Sequence, residues 1–226
     1  MLFVDRHDAG RRLAEVVAAR FEGINGLHAI VLGLPRGGVP VAYEVAKMLR
    51  APLDVFVVRK IGLPWQPELA IGAIASGGVR VLDYAATHSH GVTAGELEEA
   101  IEREERELER RERRFRGNEP PIEVVGKTVF LVDDGLATGA SMLAAVRALR
   151  TRNPYRIVVA VPVAAPEACS DLQREADFMI CGEMPEPFHA VGVWYHDFNQ
   201  TTDEEVQALL AASRVEFPNA SVGSGA

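Results

Sequence analysis

Cysteine, aromatic residues and long apolar runs are scarce in this chain. Its two cysteines, Cys169 and Cys181, are too few for a disulfide framework, and their spacing fits no zinc ribbon. Both are predicted to be buried free thiols of a reducing compartment. No apolar run approaches the roughly 18 residues of a membrane span, and the N-terminus lacks the apolar core of a signal peptide. These absences predict a cytoplasmic protein without a membrane partner.

Basic residues are also fewer than acidic ones. The 226 residues include 24 Lys and Arg against 32 Asp and Glu, which gives a formal net charge of −8. A general DNA or RNA binder needs a basic surface, so the balance argues against a nucleic-acid partner, although it allows a local basic pocket for a polyphosphate. Length and composition suit one α/β domain, predicted over residues 1–217, with a flexible tail at 218–226.

The most informative stretch is VFLVDDGLATGAS, residues 129–141. Its first four residues are apolar without alternation, as in a parallel strand buried on both faces. Asp133 and Asp134 stand at the predicted end of that strand, and a turn of small residues, Gly135 to Gly139, follows them. Apolar residues then recur at helical spacing up to Arg150. The stretch therefore predicts a strand, an acidic pair, a tight turn and a helix.

The residue types of this unit indicate which ligand groups it could bind. Unpaired N–H groups at a helix N-terminus can hold a phosphate, and Thr138 and Ser141 add hydroxyl donors. Two adjacent carboxylates can accept hydrogen bonds from a vicinal diol, so a ligand with a ribose and a phosphate would fit both halves. The dinucleotide and triphosphate motifs are absent, because neither G-x-G-x-x-G nor Gly-Lys-Ser/Thr occurs here. The alternative is an ordinary strand–turn–helix junction with a chance acidic pair.

All thirteen positions resemble the signature of the type I phosphoribosyltransferases, which bind 5-phosphoribosyl-1-pyrophosphate (PRPP), and the DD-x-LATG core is most similar to the adenine enzymes. The resemblance implies an α/β fold with a parallel sheet flanked by helices and a small hood. It implies that Asp133 and Asp134 are catalytic groups that bind the ribose hydroxyls. It implies Mg²⁺ as a cofactor, held through the ligand, with the two aspartates as its candidate protein ligands. The implied 5′-phosphate site also includes Ala137, Thr138, Gly139, Ala140 and Ser141.

A second strand–turn–helix unit precedes this one. Residues 29–34 (AIVLGL) read as a buried strand, and Pro35-Arg36-Gly37-Gly38 follows them. In the family such a loop holds the pyrophosphate, so the resemblance implies that role for Arg36, Gly37 and Gly38. Residues 59–64 (RKIGLP) resemble a basic region of the adenine enzymes, which implies that Lys60, with Arg59 in reserve, reaches the pyrophosphate. A plain turn and ordinary surface cations are the alternatives.

Two further predictions concern residues 53–82. Residues 53–58 read as one buried strand. Residues 62–78 are rich in glycine and proline, and the resemblance implies a mobile catalytic loop near this point. Residues 79–82 are predicted to form a strand paired with residues 70–75. Some purine transferases carry an aspartate where this chain has Ala137, and its absence leaves Glu68 as the candidate general acid–base group.

Residues 93–116 predict a long charged helix with a Thr93/Glu96 capping box and a narrow apolar stripe. Such a helix lies on the surface or packs against a second chain along one seam. A homodimer is the expected assembly. The family members compared lack so long a helix at this position. Near the C-terminus, Phe188 and Trp194 are candidates for stacking on a base under the hood, and burial in the core is the alternative.

Together the resemblance implies transfer of ribose 5-phosphate from PRPP to or from a nitrogenous base, with an unknown acceptor, in purine salvage or related nucleotide metabolism. The implied partners are small molecules. Two other classes stay open: a PRPP-binding regulatory module without catalysis, and a hydrolase of phosphorylated sugars.

Overall fold

The computed structural model describes residues 2–218, so the predicted tail, apart from Pro218, lies outside the described residues. The helices are α1 (Arg6–Arg20), α2 (Gly38–Leu49), α3 (Tyr84–Ser89), α4 (Ala94–Arg116), α5 (Ala140–Arg150), α6 (Pro166–Leu172) and α7 (Asp203–Glu216). The strands are β1 (Ala29–Gly33), β2 (Leu53–Val55), β3 (Val58–Leu63), β4 (Gln66–Ala75), β5 (Val79–Leu82), β6 (Thr128–Val132), β7 (Arg156–Val163) and β8 (Phe178–Glu183). Across residues 2–218, every helix is too short or too polar to cross a bilayer.

The central sheet has five parallel strands in the order β2-β1-β6-β7-β8. Every residue of β1 and β6 is buried, because helices cover both faces of the sheet. Successive side chains point to opposite faces. Phe130 and Val132 thus join the core beneath α1 and α2, whereas Val129 and Leu131 join the core beneath α5 and α6. The predicted parallel α/β sheet flanked by helices is confirmed.

A second sheet corrects two predictions. The prediction of one strand over residues 53–58 is wrong, because β2 ends at Val55 and β3 starts an antiparallel sheet of order β3-β4-β5. The predicted loop over residues 62–78 is largely β4, which pairs with β3 through a turn at Pro64 and Trp65. Gly72 explains the misreading: a Cβ there would lie 2.8 Å from the Val81 carbonyl oxygen, so glycine serves close strand pairing rather than a loop. The predicted pairing of residues 70–75 with residues 79–82 is present.

The long helix has the predicted bounds, with Thr93 and Glu96 forming the capping box. Its apolar side is covered by this chain itself, since Ile101, Leu108 and Phe115 belong to the core that α2 and the small sheet share. Arg116, at its last turn, is buried. Its Nε donates to Asp54 at 2.8 Å, and its Nη2 donates to the Val55 carbonyl oxygen at 2.7 Å. The insertion is therefore anchored to the central sheet at its C-terminal end.

The prediction of two free thiols is wrong, because Cys169 and Cys181 form a disulfide. Cys169 lies on α6 and Cys181 on the neighbouring edge strand β8, with the two Cα atoms 7.2 Å apart. The packing of α6 beside β8 brings the sulfur atoms together, and two cysteines in a sequence do not reveal that tertiary neighbourhood.

Candidate functional site

The two strand–turn–helix units meet at the carboxyl edge of the central sheet. Strands β1 and β6 are neighbours, with Gly33 opposite Val132, and the Leu34 N–H donates to the Val132 carbonyl oxygen at 2.9 Å. The loop that contains Arg36 and the acidic pair therefore emerge side by side. This edge is where open parallel sheets accommodate ligands.

Two glycines allow the loops to approach each other. A Cβ at Gly37 would overlap the carboxylate of Asp134, and a Cβ at Gly38 would lie 2.8 Å from the Cα of Asp133. No side chain fits in these two places. The Gly37-Gly38 pair therefore lets the backbone of the first loop rest directly against the acidic pair, which brings Arg36 to the same edge.

Asp133 is the more enclosed of the two acids. Its Oδ1 accepts a hydrogen bond from the Asp134 N–H at 2.9 Å. Burial, and then the negative charge of Asp134, raise the pKa of Asp133 well above its ordinary value, while the hydrogen bond from the Asp134 N–H and the charge of Arg6 act in the opposite direction. A ligand group that donates a hydrogen bond to Asp133 would stabilise the ionised form of this carboxylate.

Asp134 is held from two sides. Nε of Arg6 donates to its Oδ2 at 2.8 Å, and the Tyr195 hydroxyl donates to its main-chain oxygen at 2.6 Å. Burial raises the pKa of Asp134, and the Arg6 guanidinium acts in the opposite direction. Burial and the nearby Asp134 charge also raise the pKa of Tyr195, so its hydroxyl keeps its proton and acts as a donor.

The turn after the acidic pair is held at one end and open at the other. The Leu136 N–H donates to the Val163 carbonyl oxygen at 3.0 Å, and Leu136 in turn accepts from the Ala165 N–H at 2.8 Å. Gly139 has φ +70°, a left-handed conformation that suits glycine, and it precedes α5 directly. Thr138 Oγ1 lies 3.5 Å from the Ala140 nitrogen, the long limit of a hydrogen bond.

Among the described residues no side chain forms a regular cap on α5. Its first N–H groups therefore face a site bordered by the exposed residues Ala137, Thr138 and Ser141. These N–H groups carry partial positive charge, so the predicted 5′-phosphate segment has the geometry of an anion site.

A cavity of about 560 Å³ adjoins the acidic pair. It contains Arg36, Gly37 and Asp134, which the sequence predicts, together with residues that it does not. The lining is Arg6, Pro35, Arg36, Gly37, Arg110, Arg111, Arg114, Phe115, Asp134, Phe198, Gln200, Thr201 and Asp203. Sequence reasoning misses the arginines of α4, although the charge run at the end of that helix is a visible signal.

The structure places Lys60 apart from this cavity. Lys60 lines a different cavity, of about 460 Å³, which also contains Ala140 and Arg147. Arg59, on the opposite face of β3, donates from Nη2 to Glu104 of α4 at 2.6 Å. The two candidate cations of the RKIGLP segment therefore face away from each other.

Phe188 and Trp194 are absent from the described lining of the cavity. The backbone of Glu68 belongs to strand β4, and its side chain lies outside the described residues. The rings of Phe188 and Trp194 have centroids 6.3 Å apart and pack with Tyr195 and Phe3 in a small apolar cluster. The aromatic residues in the described lining of the cavity are instead Phe115 and Phe198. The Arg6 guanidinium lies 4.0 Å from the ring centroid of Phe198.

The described residues contain no cluster of three or more His, Cys, Asp or Glu side chains that could hold a metal ion. Asp133 and Asp134 could offer two oxygen ligands at this edge. This fits Mg²⁺, which usually keeps several waters and binds through one or two carboxylates and the phosphates of a substrate.

Known proteins are similar to this chain over most of its length. A family model described as a phosphoribosyl transferase domain matches residues 4–197. A Mycobacterium tuberculosis protein provisionally named a phosphoribosyl transferase is 46% identical over 220 residues, which are 97% of this chain and 48% of that protein. The chain therefore spans about half the length of the curated relatives that it matches most extensively.

Two further similarities cover more of the matched protein. The bifunctional protein PyrR of Chloroflexus aurantiacus is 32% identical over 147 residues, which are 64% of this chain and 74% of that protein. The crystal structure of TT1426 from Thermus thermophilus shares 45% sequence identity with a TM-score of 0.83, over 94% of this chain and 99% of that one.

Proposed function

Because this chain belongs to the phosphoribosyl transferase family, we propose that it transfers ribose 5-phosphate from PRPP to a nitrogen atom of a base, or catalyses the reverse reaction. One observation carries the proposal. The acidic pair, the open N-terminus of α5 and the Arg36-Gly37-Gly38 loop converge on one edge of the sheet. That edge offers acceptors for a diol and donors for phosphates at both ends of a phosphorylated ribose.

In the proposed reaction the acceptor nitrogen forms a bond to C1 of the ribose. The bond from C1 to the pyrophosphate oxygen breaks, and pyrophosphate leaves with the electron pair. The sugar gains positive charge in the transition state, so the protein acts by positioning and by electrostatic stabilisation. A proton leaves the attacking nitrogen, and Glu68 is the group that we propose to receive it.

The proposed roles follow the geometry. Asp133 and Asp134 accept hydrogen bonds from the ribose hydroxyls. The Tyr195 hydroxyl positions the Asp134 backbone by donating a hydrogen bond to its carbonyl oxygen. The first N–H groups of α5, with Thr138 and Ser141, bind the 5′-phosphate. Arg36, Gly37 and Gly38 bind the pyrophosphate. Lys60 lines a different cavity, so it could contact the pyrophosphate only after a movement of β3 and of the Lys60 side chain.

Mg²⁺, when bound, neutralises charge on the pyrophosphate and supports its departure. Asp133 and Asp134 are the protein groups that would hold it at this edge. We further propose that Phe188 and Trp194 stack on the acceptor base. Purine salvage, a cytoplasmic location and a homodimer belong to the same proposal.

The test is to incubate the chain with PRPP, Mg²⁺ and a panel of purine and pyrimidine bases, and to measure pyrophosphate release. The proposal expects release that depends on one base and falls in Asp133→Asn and Asp134→Asn. Asp171→Asn, on the exposed surface of α6, is the matched control and should keep wild-type activity. Binding of PRPP without release in any mixture would instead favour a regulatory module, and release without a base would favour a hydrolase.

A further inference from the structure

The C-terminal third of α4 presents a row of charged side chains to the cavity beside Asp134. Glu107, Arg110, Arg111 and Arg114 are spaced i, i+3, i+4 and i+7, so they share one side of the helix. The three arginines line the cavity of about 560 Å³ together with Arg36. This helix is the long insertion, so these groups come from outside the two loops that form the rest of the site.

The arginines are held in place by acids of the same chain. Glu107 accepts from Arg110 Nε at 2.7 Å and from Arg111 Nε at 2.8 Å. These two guanidinium groups lower the pKa of Glu107 to about 2, so it is a carboxylate at neutral pH. Arg114 Nε donates to Asp203 at 3.0 Å, and its Nη2 donates to Glu204 at 2.8 Å.

Each guanidinium group has five N–H donors, and the bonds just named use one or two of them. Arg110 also donates from Nη2 to Glu107 at 2.9 Å. Donors therefore remain on all three side chains for a further acceptor, and the planar fork suits phosphate oxygens.

The charges that line the cavity favour a multiply charged anion. Five of its lining residues are arginines, Arg6, Arg36, Arg110, Arg111 and Arg114, whereas two are acids, Asp134 and Asp203. The excess is local, since the chain as a whole carries a net charge of −8. A polyanion of small size matches this pocket better than a nucleic acid, which needs an extended basic surface.

We infer that Arg110, Arg111 and Arg114 bind the pyrophosphate group of PRPP together with Arg36, which lines the same cavity. The inference rests on the proposed function. The 5′-phosphate is not the candidate here, because the described lining of the cavity contains none of the residues 137–141. The arginines of α4 therefore supply cations to this cavity, whereas Lys60 lines a different one.

The test compares two ligands and two variants by calorimetry. R110Q/R111Q removes two of the three cations, and R113Q is the matched control, since Arg113 lies on the same helix, is absent from the described lining and pairs with Glu109. The probes are inorganic pyrophosphate with Mg²⁺ and ribose 5-phosphate. We expect R110Q/R111Q to bind pyrophosphate at least about tenfold more weakly and ribose 5-phosphate as wild type does. R113Q should bind both ligands as wild type does.

Intact binding of ribose 5-phosphate shows that the double variant is folded. Three results would overturn the inference: wild-type affinity of R110Q/R111Q for pyrophosphate, an equal loss for both ligands, or an equal loss in R113Q. If wild type binds ribose 5-phosphate but not pyrophosphate, the inference fails alone. If wild type binds neither these ligands nor PRPP, the proposed function fails with it.

Discussion

Arg6 and Asp134 form an ion pair that joins the start of the chain to the centre of the site: Nε and Oδ2 are 2.8 Å apart, and both side chains are largely buried. The same guanidinium group donates from Nη1 to the Asn199 carbonyl oxygen at 2.6 Å and lies over the ring of Phe198. Arg6 thus connects the acidic pair with the segment that follows Tyr195. A ligand diol that bonds to Asp134 would have to share this carboxylate with Arg6.

Arg6→Gln should destabilise the fold by about 1.5–3 kcal/mol, because the variant leaves a largely buried carboxylate without its charged donor. Chemical denaturation measures the free energy of unfolding. Arg12→Gln is the control, since Arg12 forms an exposed pair with Asp8 and should cost at most about 1 kcal/mol. Equal costs for the two variants would show that the Arg6–Asp134 pair contributes no more than a surface contact.

Asp133→Asn should change how stability depends on pH. Burial raises the pKa of Asp133 in the folded chain, so the folded state keeps a proton where the unfolded state, with a pKa of about 4, has lost it. The contribution of Asp133 to the free energy of unfolding of the wild-type protein is therefore greatest below about pH 4, and it falls as the pH rises toward the raised pKa.

Asparagine does not titrate, so the variant should gain stability relative to wild type as the pH increases from about 4 to 7. Melting temperatures of both proteins across this range provide the measurement. A difference between the two proteins that stays constant with pH would contradict the raised pKa of Asp133.

Gly37→Ala should lower both stability and ligand binding. The added methyl group would overlap the Asp134 carboxylate, so either the loop or the acid must move, at a cost of about 1–3 kcal/mol. Gly95→Ala is the matched control, because that site, in the first turn of α4, has open space and alanine favours helix. Gly95→Ala should leave stability equal or higher. A Gly37→Ala protein as stable as Gly95→Ala would mean that the two loops do not approach so closely.

Arg116→Gln should destabilise the chain by about 3–5 kcal/mol, because it leaves Asp54 buried without its counter-ion. Arg113→Gln, on the exposed side of the same helix, should have little effect. Denaturant unfolding of both variants gives the comparison. A small effect at Arg116 would indicate that the end of α4 is not anchored to β2.

The local parts of the site could be predicted from the sequence, because strand, turn and helix patterns are local. The strand before Asp133 and the helix from Ala140 are present with nearly the predicted bounds. The Arg36 loop and the acidic pair meet as a parallel sheet requires, since β1 and β6 are neighbours.

The tertiary parts could not be predicted. Arg6 and Arg111 are more than 100 residues apart in the sequence, yet both line the cavity, and no local pattern indicates that α1 and α4 converge beside Asp134. The glycines of residues 62–78 indicate a loop by composition, yet Gly72 serves close strand pairing. Lys60 and Arg59 look interchangeable in the sequence, but alternation along β3 sends them to opposite faces.

The binding of PRPP tests the central claim most directly, and thermal melting with PRPP and Mg²⁺ measures it. The account predicts that PRPP raises the melting temperature, with a gain of about 2.7 kcal/mol at a ligand concentration of 100 Kd, because a ligand that binds only the folded state stabilises it. Ribose 5-phosphate, which lacks the pyrophosphate, should give a smaller shift at the same concentration. A melting curve that neither ligand moves at millimolar concentration would contradict the claim that this edge of the sheet is a PRPP site.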